Sequence, residues 1–156
     1  MFEKMLVCLD GSKLSEQIFP YAREQAIRFR SKVVLMHVVG TSALVSPAVP
    51  GTTAMPIMTS SLLERMQEEE NEANAYLESL AGPLRESGLE VEIVIKHGAA
   101  GDVIIDYAIN NDIDLIALAT HGRSGVIRTV FGSVADQVMR QSGLPILMIK
   151  PQESGG

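Results

Sequence analysis

Apolar, β-branched runs that recur along this chain with helix-length polar-faced segments between them restrict it more than any other feature. Five such runs occur, at Met5–Leu9, Val33–Val39, Glu90–Lys96, Asp114–Ala119 and Pro145–Lys150. Their almost unbroken apolar character suits strands covered on both faces, and the alternation with helical segments predicts a parallel sheet with crossover helices on either side. The expected fold class is therefore α/β, a three-layer α/β/α sandwich. The length of 156 residues fits a single domain over 1–150. A chain of this size buries about 70% of its unfolded surface, enough for a core without disulfide or metal staples.

The intervening segments carry helix punctuation. The first helix is expected to begin near Ser12 or Ser15 and to turn Leu14, Ile18, Ala22, Ala26 and Phe29 inward. Pro20 calls for a kink or a later start, because an interior proline lacks the N–H that the helix ladder needs. Ser61-x-x-Glu64 is a capping-box signal ahead of a stripe formed by Met66, Ala73, Tyr76, Leu77, Leu80 and Leu84. Gly82-Pro83 is expected to bend that helix and Gly88 to end it. A third helix is expected from about Asp102 with Val103, Ile104, Tyr107 and Ala108 inward, and a fourth from Ser133 to just before Gly143. The long connection over 41–60, rich in proline and small residues, reads either as a loose surface loop or as a lid or partner-contact segment. Residues 151–156 read as a flexible tail.

Composition removes several function classes. The net charge is −6, tryptophan is absent and the basic residues are scattered, which argues against a nucleic-acid surface. No apolar run reaches the length of a membrane span or a signal peptide. The single cysteine, Cys8, lies inside a strand pattern and is read as a small buried hydrophobe; a cytoplasmic location is expected. The acidic residues between Glu64 and Glu78 read as a solvated helix face.

Candidate chemistry concentrates after the first and fourth strands. Ligands of open doubly wound sheets sit beyond the carboxyl ends of the strands where the strand order reverses, and that point would set Asp10-Gly11-Ser12 opposite the Ala119–Gly125 loop. Glycine without a Cβ lets an anion approach the main chain, and the first amides of a helix opening at Gly132-Ser133 lack internal acceptors, so the two together suit a phosphate. Ser133 is expected to cap its helix and also to meet a phosphate oxygen, with Arg123 or Arg128 balancing charge. Plainer roles compete: the glycines serve a tight turn, Arg128 is a solvated loop cation, His37 a hydrogen-bonded core residue and His97 a strand-end residue. No P-loop, zinc-binding helix, Cys/His cluster or Gly-x-Ser-x-Gly elbow is present, and Ser124 has no evident base, so binding is favoured over efficient catalysis.

The segments Leu-Asp-Gly-Ser (9–12), Met-His-Val-Val (36–39), Thr-His-Gly-Arg-Ser-Gly (120–125), Phe-Gly-Ser-Val-Ala-Asp (131–136) and Leu-Pro-Ile-Leu (144–147) resemble the universal stress protein family, its UspA-like branch within the adenine-nucleotide α-hydrolase-like fold. Nucleotide-binding members show Gly-x2-Gly-x9-Gly-Ser/Thr. Here Gly122, nine residues and Gly132-Ser133 match, whereas Ala119 replaces the first glycine. The resemblance implies a five-stranded parallel sheet of order 3-2-1-4-5 and an ATP-type ligand. Its nucleotide-binding residues would be Asp10, Val38, Ala119, His121, Gly122, Arg123, Gly132, Ser133 and Val134. Asp10 is then open to two roles, bonding the nucleoside or helping to hold Mg²⁺ through water. The resemblance also implies a homodimer joined through Ile146, Leu147, Met148 and Ile149, whose apolar strand makes an inviting sheet edge. A ligand-free dimeric interaction module and a very slow ATP hydrolase are the alternatives to a regulatory, stress-response nucleotide binder.

Overall fold

The computed structural model describes residues 1–40, 60–120 and 132–153. Five strands, β1 (Lys4–Leu9), β2 (Lys32–Val39), β3 (Val91–His97), β4 (Leu115–Ala119) and β5 (Ile146–Ile149), form one sheet in the order β3-β2-β1-β4-β5. Every pairing is parallel. Central β1 is in register with β2 from Lys4↔Lys32 to Leu9↔His37 and with β4 at Met5↔Leu115.

Side chains alternate across the sheet, so β1 feeds two cores at once. Met5, Val7 and Leu9 pack with Ile18, Ala22 and Leu77 beneath one helical layer. Leu6 and Cys8 pack with Ile104, Ile116 and Val138 beneath the other. This double coverage is why the strands are continuously apolar rather than alternating.

The first layer holds α1 (Lys13–Glu16), α2 (Phe19–Phe29) and α3 (Ser60–Glu86); the second holds α4 (Ala100–Asn110) and α5 (Ser133–Gln141). The helix expected near Ser12 is split in two. Ser12 caps α1, and Pro20 falls in the first turn of α2, where a missing N–H leaves no bond unmade. Ile18, Ala22 and Ala26 are buried as expected, but Leu14 is only half-buried. Phe29, expected inward, is 42% exposed and meets Phe2 edge-on at 5.2 Å, because it is the last residue of α2 and the chain turns away at left-handed Arg30. Gly82-Pro83 lies inside α3. The helix continues to Glu86, and Gly88 at φ +85° then turns the chain into β3. Helix α4 begins at Ala100, slightly before the expected Asp102, behind an extended Ala99 that offers no side-chain cap.

After β5, Pro151 is buried and the Gln17 side chain grips Gln152 from both sides: its Nε2 donates to the Gln152 carbonyl (2.8 Å) and its Oε1 accepts from the Gln152 amide (2.9 Å). Most of the 41–60 connection, and residues 154–156, lie outside the described residues. Among the described residues no helix is long and apolar enough to cross a membrane.

Candidate functional site

From β1 the chain turns through α1, α2 and α3 toward β2 and β3 on one side of the sheet, and β4 and β5 lie on the other. The carboxyl ends of β1 and β4 are therefore flanked by connections that diverge, leaving a crevice between them. A cleft of about 340 Å³ opens there, within the range of small-molecule sites. Asp10, Val38, Ala119, Gly132, Ser133 and Val134 all line it. His121, Gly122 and Arg123, along with Ser124 and Arg128, lie outside the described residues.

The β1 side of the cleft is held rigid by a run of short bonds. The Ser12 amide donates to Asp10 Oδ1 (2.8 Å), the Ser15 amide donates to Ser12 Oγ (3.1 Å), and Ser15 Oγ donates to the Ser12 carbonyl (2.8 Å). Gly11 sits between at φ +86°, a conformation that suits glycine and lets the chain reverse immediately after the strand. Asp10 thereby faces the cleft from a fixed turn instead of a floppy loop. His37 Nδ1 lies 3.0 Å from the Leu9 carbonyl oxygen, in keeping with a hydrogen-bonded core histidine, and its ring meets Tyr76 edge-on. Burial foremost, and then the negative charge of nearby Glu16, pushes the Tyr76 phenol well above its ordinary range.

The β4 side is shaped by a closure between Thr120 and Gly132. The Gly132 amide donates to the Thr120 carbonyl at 2.7 Å, and an added Cβ on Gly132 would lie 2.2 Å from that oxygen. Glycine is required here by close approach, since its φ of −59° is open to any residue. The closure also corrects the expected capping: Gly132 occupies the cap position of α5 and exposed Ser133 the first helical position, with no side chain capping the helix. The α5 ladder starts with the Asp136 amide on the Gly132 carbonyl (2.9 Å), so the amides of Ser133, Val134 and Ala135 have no acceptor within the helix. Those three residues line the cleft. The Gly132 amide itself is committed to Thr120.

Ala119 ends β4 in register with Ile149 and is not among the positive-φ residues, so alanine fits this position as ordinary strand backbone. The floor is apolar, with Cys8, Met36, Leu118 and Ile104 reaching it from the second core. Burial pushes the Cys8 thiol up to about 12, which leaves it protonated and inert at neutral pH.

Ser15, Ala100 and Thr120 also line the cleft, although none of them is expected from the sequence to be a site residue. Ser15 reads there only as a helix start, and Thr120 opens the Thr-His-Gly-Arg-Ser-Gly segment without reading as a ligand contact. Ala100 carries no local signal, because only the crossover of α4 brings it there. Among the described residues no group of three or more His, Cys, Asp or Glu is placed to hold a metal ion.

The universal stress protein MJ0531 of Methanocaldococcus jannaschii is 27% identical over 150 residues, covering 96% of this chain and 83% of that protein. Among solved structures, protein MJ0577 of the same organism superposes with a TM-score of 0.81 at 22% identity, covering 99% of both chains. A universal stress protein in complex with cAMP superposes with a TM-score of 0.67 at 19% identity, covering 97% of this chain and 98% of that one. A universal stress protein family protein of Arabidopsis thaliana with AMP bound gives 0.63 at 20%, covering 96% and 92%. A sequence profile of the universal stress protein family matches residues 1–150, and with the sheet order and whole-length relatives in agreement, the chain belongs to the universal stress protein family.

Proposed function

We propose that this chain binds an adenine nucleotide, ATP foremost, in the cleft between β1 and β4, and that it acts as a regulatory, stress-response module. The observation that carries this reading is the uncapped first turn of α5 opening onto the same cleft as Asp10 and the apolar floor. An apolar floor suits a flat base, while three amides at the positive end of a nine-residue helix suit a phosphate. Helix α4, whose Ala99 cap also lacks a side-chain bond, turns its Ala100 end toward the same cleft. The complexes of similar folds with cAMP and AMP support the choice of an adenine nucleotide.

In this reading the base lies by Val38 and Asp10, and the ribose and phosphates run past Ala119 and the His121-Gly122-Arg123 segment toward Gly132, Ser133 and Val134. Asp10 is the only carboxylate among the described lining residues. Mg²⁺ would therefore be held chiefly by the phosphates, with Asp10 reaching it through water. A single fixed carboxylate favours binding over turnover, because hydrolysis needs a group to orient the attacking water.

The outer edge of β5, bonded on one side to β4, is the surface through which two copies would join as a homodimer. Ile146 to Ile149 are only half-buried in the single chain.

Mass spectrometry of small molecules released on denaturing the purified protein, followed by calorimetric titration with ATP, tests the proposal. An adenine nucleotide in the released fraction and saturable binding are expected. A folded dimer with no saturable binding would select instead a ligand-free interaction module. Light scattering that gives a monomer mass at micromolar concentration would remove the dimer.

A further inference from the structure

Two buried side-chain polar atoms among the described residues lack a hydrogen-bond partner, Tyr76 Oη and Thr120 Oγ1. Tyr76 is the less telling of the two, because its ring is only half-buried and Glu16 and Ser15 stand beside it. Thr120 is 4% exposed and lines the cleft.

Both of its backbone groups are engaged. Its amide donates to the Ile149 carbonyl (2.9 Å) and its carbonyl accepts from Gly132 (2.7 Å). Only the hydroxyl is left over. Ile116 and Leu118 face the α4/α5 layer, and the alternation of a strand sends Thr120, two residues further on, to that same side. A hydroxyl shut away from water without a partner costs stability that a valine of the same shape would not, so its presence calls for a group that arrives from outside the chain.

The neighbourhood specifies that group. The first turn of α5 presents amide hydrogens from Ser133, Val134 and Ala135, all donors. A threonine hydroxyl adds one more O–H. A set made of donors, at the positive end of a helix, matches a ligand rich in acceptor oxygens and negative charge.

We propose that the Thr120 hydroxyl is a phosphate-binding group, donating to a phosphate oxygen seated against the first turn of α5. The inference rests on the nucleotide reading of the cleft and adds to it a residue at one of the unspecified positions of the glycine-serine motif. On binding, the hydroxyl turns toward the phosphate about χ1, a torsion with three staggered wells. Thr120 then serves the site twice: its carbonyl closes the chain onto Gly132, and its hydroxyl meets the ligand.

Thr120→Val removes the hydroxyl at constant shape, and Thr120→Ser keeps it. Calorimetric titrations of the wild type and both variants with ATP, AMP, adenosine and tripolyphosphate, beside thermal melts of the free proteins, decide the matter. Thr120→Val is expected to weaken ATP, AMP and tripolyphosphate by about ten- to a hundredfold, the range for a hydrogen bond to a charged group, and to leave adenosine within about twofold. Thr120→Ser is expected to bind like the wild type, and free Thr120→Val to melt no lower than the wild type. Wild-type affinity for the phosphate-bearing ligands in Thr120→Val overturns the inference while leaving the nucleotide reading in place. So does a lowered melting temperature, which would reveal an internal partner for the hydroxyl. Tripolyphosphate binding that depends on Thr120, in a protein that takes no nucleotide, upholds the inference and removes the nucleotide reading. A wild type that binds none of the four ligands removes both.

Discussion

The Gly132 amide and the Thr120 carbonyl oxygen are 2.7 Å apart, and that single bond joins the end of β4 to the start of α5. The added Cβ position at Gly132 lies 2.2 Å from the same oxygen and 3.3 Å from its carbonyl carbon, so any side chain there collides with backbone that the sheet holds in place. Gly132→Val is therefore expected to push α5 away from β4. Unfolding free energy should fall by about 1–3 kcal/mol in urea titration. ATP binding should be lost in calorimetry, because the α5 amides no longer face the cleft. Wild-type affinity in a folded Gly132→Val protein would show that the phosphate site has been assigned to the wrong place.

Gly101 offers a contrast. A Cβ there would come within 2.0 Å of an atom as well, but that atom is Gln137 Oε1, at the far end of a flexible side chain that donates to Asp102 at 2.5 Å through its Nε2. Swinging Gln137 aside gives up two exposed bonds, to Asp102 and, at 3.5 Å, to Gln141. Alanine in turn gains up to about 1 kcal/mol of helix preference over glycine. Gly101→Ala is expected to leave stability within about 1 kcal/mol of the wild type and ATP affinity unchanged. A loss comparable to that of Gly132→Val would mean that α4 and α5 cannot adjust where they cross.

What the sequence disclosed and what it withheld divide along the range of the interactions. The strands were legible because coverage on both faces leaves continuous apolar runs, as at Met5–Leu9 and Val33–Val39, and the parallel order followed from the alternation together with the family resemblance. Gly88 was legible because a left-handed turn calls for glycine. The break between α1 and α2 was half-visible: Pro20 demanded some interruption, yet proline tolerates the first turn of a new helix as readily as it kinks an old one. Phe29 followed the helical period but lies at the helix end, where periodicity no longer decides burial. Ser133 as a cap was the natural expectation for its residue type, and only the close approach of Thr120 shows why glycine takes that place. The missing partner of Thr120 and the arrival of Ala100 at the cleft depend on contacts between segments far apart in the chain, which no local pattern encodes.

Cys8 supplies a pH-dependent test of the cleft floor. Its thiol is raised from 9.0 to about 12 by burial, so the folded chain binds this proton more tightly than the unfolded chain does. The associated stability is complete below about pH 9 and drains away as pH climbs toward 12, with a slope of up to about 1.4 kcal/mol per unit for one group. Cys8→Ala should show a shallower alkaline loss in urea titrations over that window, and parallel profiles for the two proteins would refute this origin. The same shift leaves about a thousandfold less thiolate than the ordinary value would. Iodoacetamide at pH 8 is therefore expected to modify the native protein at the rate of its opening and the urea-unfolded protein freely.

Gln17 and Gln152 form the remaining testable link, since one side-chain amide imitates a strand partner by both donating to and accepting from the same backbone residue. Both bonds are exposed, which holds each near the lower end of the usual range of about 0.5–1.5 kcal/mol. Gln17→Ala should thus cost about 1 kcal/mol and lower the melting temperature by about 3 °C for a chain of this length. The loss should be local as well as global: hydrogen exchange at the Gln152 amide should quicken while that of β1 amides is unchanged relative to global stability. Gln17→Glu separates the two bonds, because its carboxylate still accepts from the Gln152 amide but has no hydrogen to give the carbonyl at pH 7. It is expected to be at least as destabilising there and to recover part of the loss below about pH 4, where the protonated acid regains a donor. Equal melting temperatures for Gln17→Ala and the wild type would mean that buried Pro151 alone keeps the chain after β5 in place.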